Sequence, residues 1–226
     1  MTSGDDNPTS RRTIRSFVLR GGRVTAAQKK ALEALWPEYG IDESSGPLDL
    51  AREFGREAPT IVEIGFGNGD SLVAMAADDP ETNFIGVEVH EPGVGHCLLA
   101  LDRCKLPNVR IIRGDAVEVL RNQVADGSLS GVHLFFPDPW PKKRHHKRRI
   151  VQPDFIALLQ RKLEPGGIFH AVTDWADYAE HIEAVVAANG AFETVEIGGN
   201  ARPQTKFERR GKRLGHEIVE HTFQRN

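Results

Sequence analysis

Five acidic residues stand at the ends of five successive apolar runs: Glu63, Glu88, Asp115, Asp138 and Asp174, closing or following residues 60–64, 83–89, 109–113, 131–136 and 168–172. Carboxylates only accept hydrogen bonds and they attract cations, so such a row suits a ligand bearing a positive centre, hydroxyls and amino groups. One residue after Glu63 begins Gly65-Phe66-Gly67-Asn68-Gly69, with Ile64 between. A dinucleotide fingerprint reads G-x-G-x-x-G and aims a helix N-terminus at a pyrophosphate. Here the third glycine comes one residue early, and the Glu63 charge would oppose a pyrophosphate but favour an ammonium or sulfonium. Glu88 can accept both hydroxyls of an adenosine ribose, and Asp115 can accept from an adenine amino group. Together these residues describe a site for S-adenosylmethionine better than one for a nicotinamide dinucleotide.

The segment running from Leu134 to Arg149 reads Leu-Phe-Phe-Pro-Asp-Pro-Trp-Pro-Lys-Lys-Arg-His-His-Lys-Arg-Arg. Prolines on both sides of Asp138 restrict the backbone that carries its carboxylate. Trp140 offers either a flat surface for a nucleobase or a cap on the core. The cations that follow leave the catalytic edge of a buried strand, which places them to meet phosphates near the active site. They belong to a wider pattern. Residues 11–30, 142–149 and 206–213 hold 7, 6 and 5 cations and one acid, Glu208, whereas the rest of the chain holds 11 cations and 31 acids. The formal net charge of −3 therefore hides an acidic body with three basic segments, the footprint of a polyanionic partner. Three solvated loops that never meet are the plainer alternative.

The elements that must position these groups follow from periodicity. Residues 25–36 look helical with Thr25 as N-cap, ended by Pro37 and Gly40. The five apolar runs read as strands. Helices are expected after each: to about residue 77, over 94–104, over 116–124, over 152–163 with Pro153 in its first turn, and over 175–189. Residues 192–197 and 216–223 alternate as two last strands. Regular strand–helix alternation predicts an α/β fold, a doubly wound, mostly parallel seven-stranded sheet, with ligands outside the carboxyl ends of the strands. Residues 1–35 read as a basic N-terminal extension and 36–226 as the domain. Cys97 and Cys104 are too far apart along a helix to bridge, which fits a reducing compartment. With no membrane-length apolar run and no signal-like apolar core, a cytoplasmic location is expected. Neither a metal nor a membrane is expected as a partner, and a monomer or weak homodimer is.

The long Pro-Asp-Pro-Trp segment, together with the glycine turn, resembles the bacterial single-chain tRNA (guanine-N7)-methyltransferase family. The similarity extends over Ile14-Arg15-Ser16-Phe17-Val18, Glu63 to Gly69, Gly86-Val87-Glu88, Asp115, Thr173-Asp174 and Thr205-Lys206-Phe207-Glu208-Arg209-Arg210-Gly211. The resemblance implies that Glu63, Gly65, Gly67, Gly69, Glu88, Asp115 and Asp138 contact S-adenosylmethionine, with Asp138 also catalytic. It implies that Lys142, Asp174, Thr205, Lys206, Phe207 and Glu208 contact the substrate. Arg144, His145, His146, Lys147, Arg148 and Arg149 would touch the RNA, and the target would be a guanine in the variable loop of tRNA.

Plainer roles stand beside these. Asp174 could cap the helix that follows it, and Glu208 could serve as an ion-pair partner within its basic segment. His133 and His170 read as core or edge residues, Trp36 and Trp175 as packing. Competing functions are an S-adenosylmethionine-dependent enzyme acting on another RNA position or on a base amino group, a non-catalytic RNA-binding protein on the same scaffold, and a nicotinamide dehydrogenase.

Overall fold

The computed structural model of the chain describes residues 16–17, 22–42, 46–196, 203, 208, 211, 213, 215 and 217–226. Helix α1 (Ala26–Tyr39) opens on a reciprocal cap: the Gln28 N–H donates to Thr25 Oγ1 at 3.2 Å and the Thr25 N–H to Gln28 Oε1 at 2.8 Å. Pro37 does not end the helix, which runs on to Tyr39. Strand β1 (Gly40–Ile41) and helix α2 (Leu50–Phe54) follow.

The regular part then alternates as β2 (Thr60–Ile64), α3 (Asp70–Asp78), β3 (Asn83–Glu88), α4 (Glu91–Cys104), β4 (Val109–Arg113), α5 (Ala116–Asn122) and β5 (Leu129–Phe135). A 3₁₀ turn over Lys143–Arg148 leads to α6 (Pro153–Lys162), β6 (Leu163–Thr173), α7 (Ala176–Asn189), β7 (Phe192–Thr194) and β8 (Val219–Arg225).

The strands form one eight-stranded sheet in the order β1-β4-β3-β2-β5-β6-β8-β7. Pairing is parallel from β1 across to β6 and antiparallel for β6–β8 and β8–β7. The order reverses between β2 and β5, which is where open α/β sheets bind ligands. The expected seven strands become eight because Gly40–Ile41 adds to the outer edge of β4, a pairing too short for any periodicity to reveal. Strand β6 also begins earlier than expected, at Leu163, which pairs with Leu129 across a register shift.

Apolar residues fill both faces of the sheet. On one, Val62, Ile85, Ile112, Leu134, Phe169 and their neighbours pack with Leu120, Ile156, Leu159 and Ile182 of α5, α6 and α7. On the other, Phe84, Val109 and Ile111 pack with Leu72 of α3, Leu98 and Leu101 of α4 and Ala31 of α1. Strands covered twice read as continuous apolar runs for this reason. The boundary expected between residues 35 and 36 falls inside α1, whose Ala31, Leu32, Leu35 and Trp36 belong to that second core. Cys97 is buried and Cys104 exposed, both as free thiols. Among the described residues no helix is long and apolar enough to cross a membrane.

Candidate functional site

A cavity of about 420 Å³ opens at the carboxyl ends of the central strands. Four of the five strand-end carboxylates line it: Glu63 from β2, Glu88 from β3, Asp115 after β4 and Asp138 after β5. Asp174, at the end of β6, does not. Parallel register explains the gathering. Glu63 lies beside Gly86 and His133, so one short stretch of sheet edge presents the ends of three adjacent strands.

Each carboxylate is held differently. Glu63 is 2% exposed. Its Oε1 accepts from Ser71 Oγ at 2.5 Å, while Oε2 is buried with no hydrogen-bond partner among the described residues. Burial pushes its pKa up to about 7; the Ser71 hydroxyl opposes this and the nearby Glu88 charge adds to it. Glu88 accepts three backbone N–H groups, from Gly67 on Oε2 at 2.8 Å and from Val89 and His90 on Oε1 at 2.7 and 2.9 Å. A carboxylate has about four acceptor positions, so Glu88 as found has room for one further hydrogen bond. Its expected grip on two ribose hydroxyls therefore requires sharing with the Gly67 N–H. Asp115 is also the N-cap of α5, with Oδ1 accepting from the Val117 N–H at 3.0 Å.

Asp138 is exposed at the cavity mouth. The backbone around it is unusual: Phe136 has φ +51° and Trp140 φ +45°, two non-glycine residues in the left-handed region on either side of Pro137-Asp138-Pro139. Each costs on the order of 1–3 kcal/mol and persists only where surrounding contacts impose it. The Phe136 N–H donates to the Val172 carbonyl at 2.8 Å, and the Pro139 carbonyl accepts from Arg149 Nε at 2.9 Å. The prolines alone do not fix this turn; both flanks are tied down.

The basic segment divides in two. Lys142, Lys143, Arg144 and Lys147 are exposed. Arg149 is not: its side chain is 1% exposed, it pairs with Asp177 of α7, and its guanidinium lies 4.8 Å from the Tyr178 ring centroid. The hydrogen bond from Arg149 holds the Asp177 carboxyl below the usual range. The expectation that Arg149 touches RNA is therefore corrected: it is a buried anchor. Arg148 stacks on Trp140, 4.1 Å from the ring centroid, and so occupies one face of the ring, for which a nucleobase platform and a core cap were the two readings. His146 lies beside the same Asp177, at 3.8 Å. Burial, then the surrounding cations, pushes His145 below the ordinary imidazole range.

Asp174 does not cap α7. Trp175 holds that position without a side-chain cap bond, and its N–H is taken by Thr173 Oγ1 at 3.2 Å. Asp174 faces Gly211 instead, where an added Cβ would come 3.1 Å from Asp174 Oδ2. Glu208 is buried; Thr205, Lys206 and Phe207 lie outside the described residues. His133 is half-buried beside Phe135 and His170, and desolvation followed by the His170 charge pushes its pKa down to about 3.

Two features went unread in the sequence. Ser71 holds Glu63, and its place as the second residue of α3 gave no signal of that role. Ser16 and Phe17 line the cavity although they lie far from its other residues in the chain; the Arg-Ser-Phe string marked them without indicating where they sit.

Comparison with known proteins bears directly on this arrangement. A family model described as "Putative methyltransferase" matches residues 57–221. The solved structure of the aminoglycoside resistance methyltransferase NpmB1 is similar in fold, with a TM-score of 0.55 at 16% identity over 79% of this chain and 92% of its own. That of a 30S ribosomal A1408 methyltransferase from an uncultured bacterium gives 0.55 at 13%, over 82% and 95%. Sequence relatives are far nearer. A tRNA (guanine-N(7)-)-methyltransferase of Nitrosococcus oceani is 55% identical over 217 residues, covering 95% of this chain and 92% of the relative. One from Shewanella sp. (strain MR-4) is 56% identical over 220 residues, covering 95% and 92%. Identity at that level across nearly the whole length, on a sheet whose edge gathers the same carboxylates that the sequence singles out, places the chain in the tRNA (guanine-N(7)-)-methyltransferase family.

Proposed function

We propose that the cavity at the ends of β2 to β5 seats S-adenosylmethionine and that a guanine of the tRNA variable loop meets it at Asp138. The chain then transfers a methyl group to N7 of that guanine. The observation that carries this reading is the gathering of Glu63, Glu88, Asp115 and Asp138 around one cavity whose rim continues into the basic segment.

The residues present fit the cofactor. Glu63 Oε2 is a buried acceptor without a donor among the described residues, the complement of an ammonium. Gly65, at φ +70°, would place a Cβ within 4 Å of no other group, so the absent side chain leaves cavity space open beside it. Glu63 would hold the amino-acid end, Glu88 the ribose and Asp115 the adenine. When bound, the cofactor supplies an electrophilic methyl group on a sulfonium. Guanine N7 carries a lone pair and no proton, so no general base is needed. The protein's work is orientation, with carboxylates along the path of the moving positive charge. Asp138 can accept from the guanine N1–H and amino edge, or orient the cofactor; either role suits an exposed carboxylate on a braced turn.

Exposed Lys142, Arg144 and Lys147 support phosphate contact, with His145 beside them. Asp174, turned towards the stretch that carries Glu208, supports a role of that pair at the substrate. Free thiols at Cys97 and Cys104 agree with a reducing, cytoplasmic setting, and action as a monomer or weak homodimer completes the reading. The test is to incubate unmodified tRNA with labelled methyl donor and then apply reduction and aniline. Label incorporated with strand scission at a variable-loop guanine is expected. Incorporation without scission would favour a base amino group, and binding without incorporation a non-catalytic RNA-binding protein.

A further inference from the structure

We propose that Trp140 is a positioning residue that clamps the Ser16–Phe17 strap against the cofactor cavity, and that it is not a stacking platform for a nucleobase. The proposal rests on the reading of that cavity as the cofactor site.

Three observations converge on the indole. Its Nε1–H donates to the Ser16 carbonyl at 3.1 Å. Ser16 and Phe17 are part of the cavity wall, 124 residues away in sequence. One ring face is covered by the Arg148 guanidinium at 4.1 Å, and the His145 ring meets Trp140 edge-on at 5.9 Å. A base arriving to stack on that face would have to displace a cation–π contact worth about 0.5–2 kcal/mol. The backbone tells the same story. Trp140 has φ +45°, a conformation that a bulky residue keeps only when contacts over-determine it. The next turn supplies those contacts, because Arg149 ties the Pro139 carbonyl to Asp177.

Trp140 therefore joins two regions: the basic segment, through Arg148 and His145, and the cavity wall, through Ser16. Removing the indole N–H alone should loosen the wall and leave the phosphate-binding cations in place. Trp140→Phe does this while keeping a ring for Arg148.

The test measures S-adenosylhomocysteine affinity without tRNA, tRNA affinity without cofactor, and steady-state kinetics, for wild type and Trp140→Phe. Expected are a cofactor affinity about fivefold weaker, the scale of one lost hydrogen bond, a KM for the methyl donor raised in proportion, an unchanged kcat, and tRNA affinity within about twofold of wild type. Should the variant fail to fold, Phe17→Ala opens the same wall from the other side, and the same split is expected. Unchanged cofactor affinity in either folded variant overturns the proposal. So does a loss confined to tRNA binding, the mark of a stacking platform. A wild-type protein that does not bind S-adenosylhomocysteine removes the cavity reading itself, a failure visible before any variant is compared.

Discussion

The acidic cavity and the basic segment share one sheet edge but are built on opposite plans. In the cavity, two of the acidic groups are fixed by the backbone, Glu88 by three N–H groups and Asp115 as a helix cap, and Glu63 is held by the Ser71 hydroxyl. In the basic segment Arg149 is buried and Arg148 rests on Trp140, while Lys142, Lys143, Arg144 and Lys147 stand in solvent. Preorganised carboxylates can discriminate one small cation among many, because their geometry is set before binding. Exposed cations suit phosphates whose positions vary with RNA shape, and the contribution of such contacts is chiefly charge.

That contrast can be broken at four points. The largest effect is expected at Asp138: Asp138→Ala should lower kcat by roughly 10²–10³-fold with tRNA affinity little changed, measured by single-turnover methyl transfer. Near-normal turnover would remove Asp138 from the chemistry. Next is the buried anchor. Arg149→Ala loses its bonds to Asp177 and Pro139 and its packing on Tyr178, and should destabilise the fold by about 2–4 kcal/mol in denaturant unfolding. An unaltered melt with weaker tRNA binding would return Arg149 to the RNA contacts.

Third comes pH. With the Glu63 pKa at about 7, the free protein holds a proton there below that pH, which a cationic ligand must expel. Cofactor affinity should therefore rise with pH between 6 and 8, by about tenfold, with proton release in calorimetry across buffers of different ionisation enthalpy. Glu63→Gln should flatten that dependence. The smallest effect belongs to a single exposed cation: Lys147→Ala should weaken tRNA binding a few-fold, reduce the salt slope by about one and leave both stability and cofactor affinity alone.

Much of this was legible in the sequence, for a physical reason. Strands buried on both faces announce themselves as apolar runs, and their carboxyl ends announce the site, so four of the carboxylates at the cavity were readable from order alone. What stayed hidden depended on partners far away in the chain. Arg149 is indistinguishable from Arg144 in a run of cations, because its burial is decided by Asp177 and Tyr178 on a later helix. Asp174 looks like a cap until Thr173 is found holding the Trp175 N–H. Strand β1 has two residues and is a strand only because β4 is beside it.

The glycine turn has one further consequence, for the speed of binding. A Cβ at Gly69 would come 2.4 Å from Cys97 Sγ, and one at Gly93 would come 2.2 Å from the Gly67 carbonyl. The loop thus packs against α4 with no clearance, and it cannot shift towards that side without moving a fourteen-residue helix. Ligand entry should therefore occur in one step into a site already at its final width. Stopped-flow traces should be single-exponential, with a rate that climbs linearly with ligand concentration and reaches no plateau set by loop rearrangement.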